Sequence, residues 1–79
     1  MTVADFKSVL EDILDLPAGS LADTDSRETV KTWSSLADVQ ILTAIAAELG
    51  TDPDPELLQV ETVGDMIAIL RQRAAFSDQ

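Results

Sequence analysis

Two adjacent serines, Ser34 and Ser35, stand where a polar, turn-rich segment gives way to a strongly apolar stretch. A serine at the start of a helix can cap free backbone N–H groups, or its hydroxyl can carry a covalently attached group. Neither serine is expected to act as a catalytic nucleophile, because the sequence has no histidine and no lysine follows at helical spacing to remove the proton. The absence of cysteine also excludes a thiol nucleophile. We therefore expect that this chain is not an enzyme and that any chemistry on these serines is performed by another enzyme.

The serine pair allows two interpretations from its pattern alone. Either serine could cap the helix, and Ser35 with Asp38 fits the S-x-x-D capping pattern. Both residues could then be capping and turn residues only. In the alternative, one hydroxyl is an attachment point, and a phosphate group on it would meet free backbone N–H groups and the positive end of the helix dipole.

Net charge and hydropathy limit the partners of the chain. Its formal charge of −10 argues against nucleic acid and anionic membranes, both of which are bound by Lys and Arg. A basic protein partner fits better, although acidity alone could also serve only to keep a small protein in solution. No stretch is long and apolar enough to span a bilayer, and the N-terminus lacks a basic region followed by an apolar run. We expect a soluble, cytoplasmic protein.

Two acidic stretches, residues 23–28 and 52–56, raise the possibility of a metal site. Neither has the spacing of a calcium-binding loop, which requires a central glycine and a terminal glutamate. With histidine and cysteine both absent, the usual ligands for zinc are missing as well. The sequence therefore predicts no metal site.

Helical periodicity begins directly after Thr2, which can cap a first helix in a capping-box arrangement with Asp5. Apolar residues then recur at helical spacing until Pro17 and Gly19 interrupt the pattern. These residues are Phe6, Val9, Leu10, Ile13 and Leu14. The connection over residues 16–32 is long for so small a chain, and such loops are usually functional or packed across the core. Its expected anchors are Leu21, Val30 and Trp33.

The rest of the chain predicts three further helical elements. A second helix is expected over about residues 35–49, with Gly50 as its C-terminal stop. A cap at Asp54 predicts a short helical turn over residues 56–59, and a cap at Thr62 predicts a last helix. The inner face of the last helix should be Val63, Met66, Ile67 and Leu70. The predicted fold is all-α, a small four-helix bundle of three main helices and one short helix, with a long loop between helices 1 and 2.

The apolar surface of the second helix is broader than a single core contact requires. One narrow stripe suffices to face the core, and it consists of Ile41, Ile45 and Leu49. A second set of residues falls on a different side, namely Leu36, Val39, Thr43 and Ala46. Helices one and four could pack against this helix from both sides. Alternatively, the second set is an exposed docking strip beside Ser35.

With these residues in place, the chain resembles the acyl carrier protein family over nearly its whole length. The signature of that family is Asp-Ser-Leu at the start of helix two, where the serine receives the 4′-phosphopantetheine arm of coenzyme A. The stretch "SSLADVQILTAIAAELG", which begins at Ser34, aligns with the family without gaps. The resemblance implies a single acyl-carrier-like domain over residues 1–79, with Ser35 as the attachment point for phosphopantetheine. Ser34 then caps the helix or replaces the family's aspartate.

The resemblance also implies a function and a set of partners. The chain would be a discrete, monomeric acyl carrier that holds an acyl intermediate as a thioester on the phosphopantetheine arm. Its partners would be a phosphopantetheinyl transferase and acyl-loading and acyl-processing enzymes, such as an acyltransferase, a ketosynthase or a ligase. The residues implied in partner binding are Ser34, Leu36, Asp38, Val39, Thr43 and Glu48.

Departures from the family pattern narrow this expectation. Ser34 stands where the family has aspartate, so the cap is kept while the negative charge is lost. The second helix is poor in acids, which favours a polyketide or other specialised-metabolite pathway over bulk fatty-acid synthesis. No glycine precedes the serines in "KTWSSL", which favours acyl over peptidyl or aminoacyl cargo. A further alternative is a carrier-like acidic interaction module that is never modified.

Overall fold

The computed structural model describes residues 1–50 and 54–76, and within these ranges it is helical and contains no strand. Helix α1 spans Val3–Leu14 and helix α2 spans Ser35–Ala44, which continues directly into a π-helical turn at Ile45–Leu49. A 3₁₀ turn at Pro55–Leu58 precedes helix α3 at Val63–Gln72. The all-α class is confirmed. The described residues form three α-helices around a compact core, and a four-helix bundle is not established.

The predicted caps form where local sequence specifies them. Thr2 and Asp5 make the complete capping box, in which the Asp5 N–H donates to Thr2 Oγ1 at 3.1 Å and the Thr2 N–H donates to Asp5 Oδ2 at 3.4 Å. Helix α1 ends before Pro17, because Asp15 adopts a left-handed conformation with φ 58°. Aspartate is among the few non-glycine residues that enter this region readily. The helix boundary therefore lies closer to the N-terminus than the proline and glycine suggested.

The core contains residues from all helices and from the long loop. The three expected loop anchors Leu21, Val30 and Trp33 are buried, as is the predicted inner face of α3. The α1 side chains in the core are Phe6, Leu10 and Leu14. Leu49 packs against the core but stays half-buried, in contrast to Ile41 and Ile45. The π-helical turn holds an extra residue, so positions four apart no longer align on one face.

Helix α2 is packed from two directions by different partners. Helix α1 lies on one side, and the 3₁₀ turn at Pro55–Leu58 contacts both α2 and α3. The buried side chain of Leu57 anchors that turn in the core. The interpretation that helices one and four pack against α2 from two sides is borne out for helix one. Leu36 and Val39 remain exposed, so part of the α2 surface is open.

Backbone hydrogen bonds tie the long loop to the start of α3. The Val63 N–H donates to the carbonyl oxygen of Asp25 at 2.9 Å, and the Gly64 N–H donates to that of Asp23 at 2.8 Å. The two donors belong to the first turn of α3, where backbone N–H groups lack partners within the helix. A Cβ atom at position 64 would lie 3.1 Å from the Asp23 Cβ, so glycine permits this close approach. Thus the loop packs across the core as an ordered part of the fold.

A carboxylate on α1 holds the other end of the loop. Glu11 is buried, and its carboxylate accepts a hydrogen bond from the Leu21 N–H at 3.0 Å. Backbone N–H groups of Leu21, Gly19 and Ser20 lower the pKa of Glu11, and they outweigh the opposing effect of burial.

Among the described residues, no helix is long and apolar enough to cross a membrane.

Candidate functional site

The two serines at the start of α2 have different structural roles. Ser34 is the N-cap residue, with an extended backbone, and its hydroxyl accepts a hydrogen bond from the Ala37 N–H at 3.4 Å. Its carbonyl oxygen accepts the first helical bond, from the Asp38 N–H at 3.0 Å. Ser35 is the first residue inside the helix. The predicted cap at Ser34 is confirmed, and the alternative S-x-x-D cap formed by Ser35 with Asp38 is wrong.

Ser35 is exposed at the N-terminal end of α2. Within residues 1–50 and 54–76, its hydroxyl makes no hydrogen bond, and neither do the backbone N–H groups of Ser35 and Leu36. The two N–H groups lie at the positive end of the helix dipole, which suits an attached phosphate. The exposed hydroxyl is therefore free for modification, and no described residue forms a hydrogen bond with it that could activate it.

An apolar strip runs along α2 beside Ser35. Leu36 is 67% exposed and Val39 is 60% exposed, and they are the two exposed large apolar side chains among the described residues. Thr43 follows on the same surface, where its hydroxyl donates to the Val39 carbonyl oxygen at 2.9 Å. Glu48 is exposed near the end of this surface. Of the predicted contact residues, Leu36, Val39, Thr43 and Glu48 are thus all open to solvent.

Asp38 differs from the other predicted contact residues because its carboxylate is engaged within the fold. The Trp33 Nε1–H donates to Asp38 Oδ1 at 2.7 Å, and Arg27 Nη1 donates to the same oxygen at 2.5 Å. The Arg27 guanidinium also donates to the Leu58 carbonyl oxygen at 2.7 Å, and it lies 5.0 Å from the centroid of the Trp33 ring. A role for Asp38 in partner binding stays a prediction, but its charge is already compensated by Arg27.

Arg27 was not identified by sequence analysis, although it connects three elements next to the candidate attachment site. It bridges the long loop, the first turn of α2 and the 3₁₀ turn. One available signal was that Arg27 and the only tryptophan of the sequence lie in the same loop, followed closely by an acid. Arg27 lies 11 positions before Asp38 and 31 positions before Leu58. These contacts could therefore not be predicted from local spacing in the sequence.

Two basic side chains away from Ser35 form ion pairs with acids, and the surface as a whole remains strongly acidic. Lys7 pairs with Asp23, and Arg73 pairs with both Asp54 and Glu56 at 2.9 and 3.1 Å. The Glu56 N–H and the Arg73 guanidinium lower the pKa of Asp54. Among the described residues there is no group of three or more acids that could hold a metal ion. Part of the acidic stretch 52–56 lies outside the described residues.

Comparisons with known proteins add no assignment to this geometry. No protein-family model, curated protein or solved structure matches the chain. The resemblance to acyl carrier proteins accordingly rests on the sequence around Ser35 and on the order of the predicted elements.

Proposed function

We propose that this chain is a discrete acyl carrier protein, with Ser35 as the attachment point for 4′-phosphopantetheine. The observation that carries the proposal is the exposed hydroxyl of Ser35, which makes no hydrogen bond within the described residues. The adjacent residue, Ser34, already caps the helix, so modification of Ser35 leaves the cap intact. Leu36 and Val39 supply apolar surface next to the serine, where an enzyme acting on the arm must approach.

The modification is a phosphoryl-group transfer catalysed by a partner enzyme. Ser35 Oγ attacks the β-phosphorus of coenzyme A and forms a phosphodiester, while the bond to the α-phosphate breaks and adenosine 3′,5′-bisphosphate leaves. In this proposal the serine proton passes to a base of the phosphopantetheinyl transferase, because no described residue of this chain is hydrogen-bonded to the Ser35 hydroxyl. An acyltransferase, ketosynthase or ligase then handles the cargo as a thioester on the terminal thiol. The chain itself performs no turnover.

The order of elements supports the same proposal. A capped first helix, a long packed loop, a serine at the start of α2, a short turn and a final helix follow one another in the sequence. We propose that this arrangement is the four-helix carrier bundle, with the 3₁₀ turn at Pro55–Leu58 in the place of its short third helix. We propose that the carrier acts in the cytoplasm. Because α2 is poor in acids, we propose that it serves a polyketide or other specialised-metabolite pathway.

Co-production of the full chain with a broad-specificity phosphopantetheinyl transferase tests this function. The intact mass should rise by one phosphopantetheine group, and the chain produced without transferase serves as the control. An unchanged mass, with the transferase shown to modify a known carrier in the same cells, would contradict the proposal. It would support the alternative of a carrier-like acidic module that is never modified.

A further inference from the structure

The Arg27 guanidinium is bound to the first turn of α2 and keeps hydrogen-bond donors in reserve. It donates to Asp38 Oδ1 and to the Leu58 carbonyl oxygen, and it makes no other hydrogen bond within residues 1–50 and 54–76. A guanidinium has five N–H groups, so part of its donor capacity is unused in this fold. The Arg27 side chain is 36% exposed, and these remaining donors are therefore open to a group that approaches from solvent.

The position of Asp38 brings this guanidinium close to Ser35. Side chains three positions apart on a helix are neighbours, with Cβ atoms about 5–6 Å apart. The Cα–Cβ bonds of a helix also tilt toward its N-terminus, so the Asp38 side chain leans back over the turn that contains Ser35. The Trp33 Nε1–H, at 2.7 Å, holds the same carboxylate oxygen that binds Arg27. A group attached to the Ser35 hydroxyl therefore begins within reach of the arginine.

Charge gives this arginine a particular value for a phosphate at that position. A phosphate on Ser35 adds negative charge next to Asp38, and like charges at neighbouring helix positions repel each other. Among the described residues, Arg27 is the basic residue that forms an ion pair with this turn, while Lys7 and Arg73 pair with acids elsewhere. Arginine also matches the geometry of a phosphate, because its planar fork can donate two parallel hydrogen bonds to phosphate oxygens.

We propose that Arg27 is a positioning residue for a phosphate attached to Ser35, which in the proposed carrier is the phosphodiester of the phosphopantetheine arm. The inference rests on the proposed function, since it concerns the group that the modification creates. N–H groups of Arg27 that are free in the unmodified chain donate to the phosphate oxygens. The guanidinium then lies between the phosphate and the Asp38 carboxylate, and the first atoms of the arm are held against the long loop.

Phosphorus NMR of the full chain, modified by a broad-specificity phosphopantetheinyl transferase, tests this contact. The phosphodiester resonance of the folded protein should be displaced from its position in the same protein unfolded in urea. Arg27→Gln removes the guanidinium, so most of that displacement should be lost. Arg27→Lys keeps the charge without the paired donors, and it should restore part of the displacement.

Two further variants separate a phosphate contact from a purely structural role of the ion pair. Asp38→Asn leaves Arg27 in place and removes the carboxylate that competes for it, so the displacement should increase. A structural role predicts the opposite, because Asp38→Asn and Arg27→Gln break the same ion pair. The control, Lys31→Gln, removes the same charge from an exposed residue of the same loop and should leave the resonance where it is.

A chain that carries phosphoserine in place of Ser35, introduced during translation, supplies the phosphate without a transferase. The second ionisation of that phosphate, followed by phosphorus NMR, should occur at lower pH with Arg27 present than in Arg27→Gln, because the guanidinium stabilises the dianion. This arm keeps the two proposals separable. A chain that the transferase leaves unmodified contradicts the carrier function, and the phosphoserine titration still decides whether Arg27 holds the phosphate.

Two outcomes would overturn the inference and leave the carrier function standing. The first is a phosphodiester resonance of the modified chain that does not respond to Arg27→Gln. The second is a loss of displacement in Asp38→Asn that equals the loss in Arg27→Gln. If Arg27→Gln fails to fold, Arg27→Lys and Asp38→Asn decide the question through their opposite expected effects on the displacement.

Discussion

At Ser34 the backbone is extended, with φ −107° and ψ 179°, and one residue later α2 begins. This single step in register decides which hydroxyl is used for capping and which is left free. Ser34 Oγ faces back onto the first turn and accepts from the Ala37 N–H, whereas Ser35 lies within the helix and projects into solvent. Attachment of a phosphopantetheine arm at Ser35 leaves the hydrogen bond between Ser34 and Ala37 untouched.

At the same scale, Glu11 makes the stability of the fold depend on pH. Its pKa is lowered below its ordinary value of 4.5 by the backbone N–H groups that it accepts from. The unfolded chain therefore binds a proton at higher pH than the folded chain, so the stabilisation is full above pH 4.5 and is lost as the pH falls through the folded pKa. Asp54, with its own lowered pKa, acts in the same direction.

Thermal unfolding of Glu11→Gln across this range tests the prediction. At neutral pH the variant should unfold at a lower temperature than the unmodified chain, because a neutral amide is a weaker acceptor than a carboxylate. In acid the difference should shrink. Asp12→Asn, a change at the neighbouring exposed acid, is the control and should follow the unmodified chain. Curves for Glu11→Gln and the unmodified chain that fall in parallel with pH would show that Glu11 does not supply this dependence.

At the scale of elements, Arg27 joins the long loop to α2 and to the 3₁₀ turn. Arg27→Ala should destabilise the fold by about 1–2 kcal/mol, because it removes charge-assisted hydrogen bonds that are partly open to water. Trp33, which is buried and is the only tryptophan, reports on the same contact through its fluorescence. Its emission should shift to longer wavelength as the loop loosens. Lys31→Ala, at an exposed base in the same loop, should leave both measurements unchanged.

The two faces of α2 should respond differently to truncation. Ile45 is completely buried, so Ile45→Ala should cost about 2–5 kcal/mol of unfolding free energy. Leu36 is mostly exposed, so Leu36→Ala should change stability by less than about 0.5 kcal/mol. In the proposed carrier, Leu36→Ala should nevertheless slow cargo transfer by partner enzymes. Equal destabilisation by the two variants would contradict the assignment of Leu36 to an exposed docking strip.

The elements themselves were predictable where their signals are local. The capping residues at Thr2, Asp54 and Thr62 lie next to the helices that they start and were predicted, while for the second helix the pattern left Ser34 and Ser35 both open as caps. The π-helical turn at Ile45–Leu49 was not predicted, because its i→i+5 pairing replaces an α-helical one without a distinct residue pattern. The ion pair between Arg27 and Asp38 depends on how the loop crosses the core, which spacing along the chain does not reveal.

At the scale of the whole molecule, the core and the charge distribution together define the surface. Among the described residues, the large apolar side chains of α1, α3 and the loop are buried or half-buried, while Leu36 and Val39 on α2 are exposed. Three of the five basic residues are held in ion pairs among the described residues. The breadth of the apolar α2 face left two interpretations open, packing from both sides or an exposed strip. The exposure of Leu36 and Val39 favours the strip, and sequence spacing alone could not show it because it depends on how the other elements pack against α2.

The central claim, that Ser35 carries the phosphopantetheine arm, is tested most directly by three proteins side by side. The unmodified sequence, Ser35→Ala and Ser34→Ala are incubated with coenzyme A and a broad-specificity phosphopantetheinyl transferase, and their intact masses are measured. The unmodified sequence and Ser34→Ala should each gain one phosphopantetheine group, with Ser34→Ala less stable by about 1 kcal/mol through loss of its cap. Ser35→Ala should gain none. Modification that persists in Ser35→Ala and vanishes in Ser34→Ala would contradict the account.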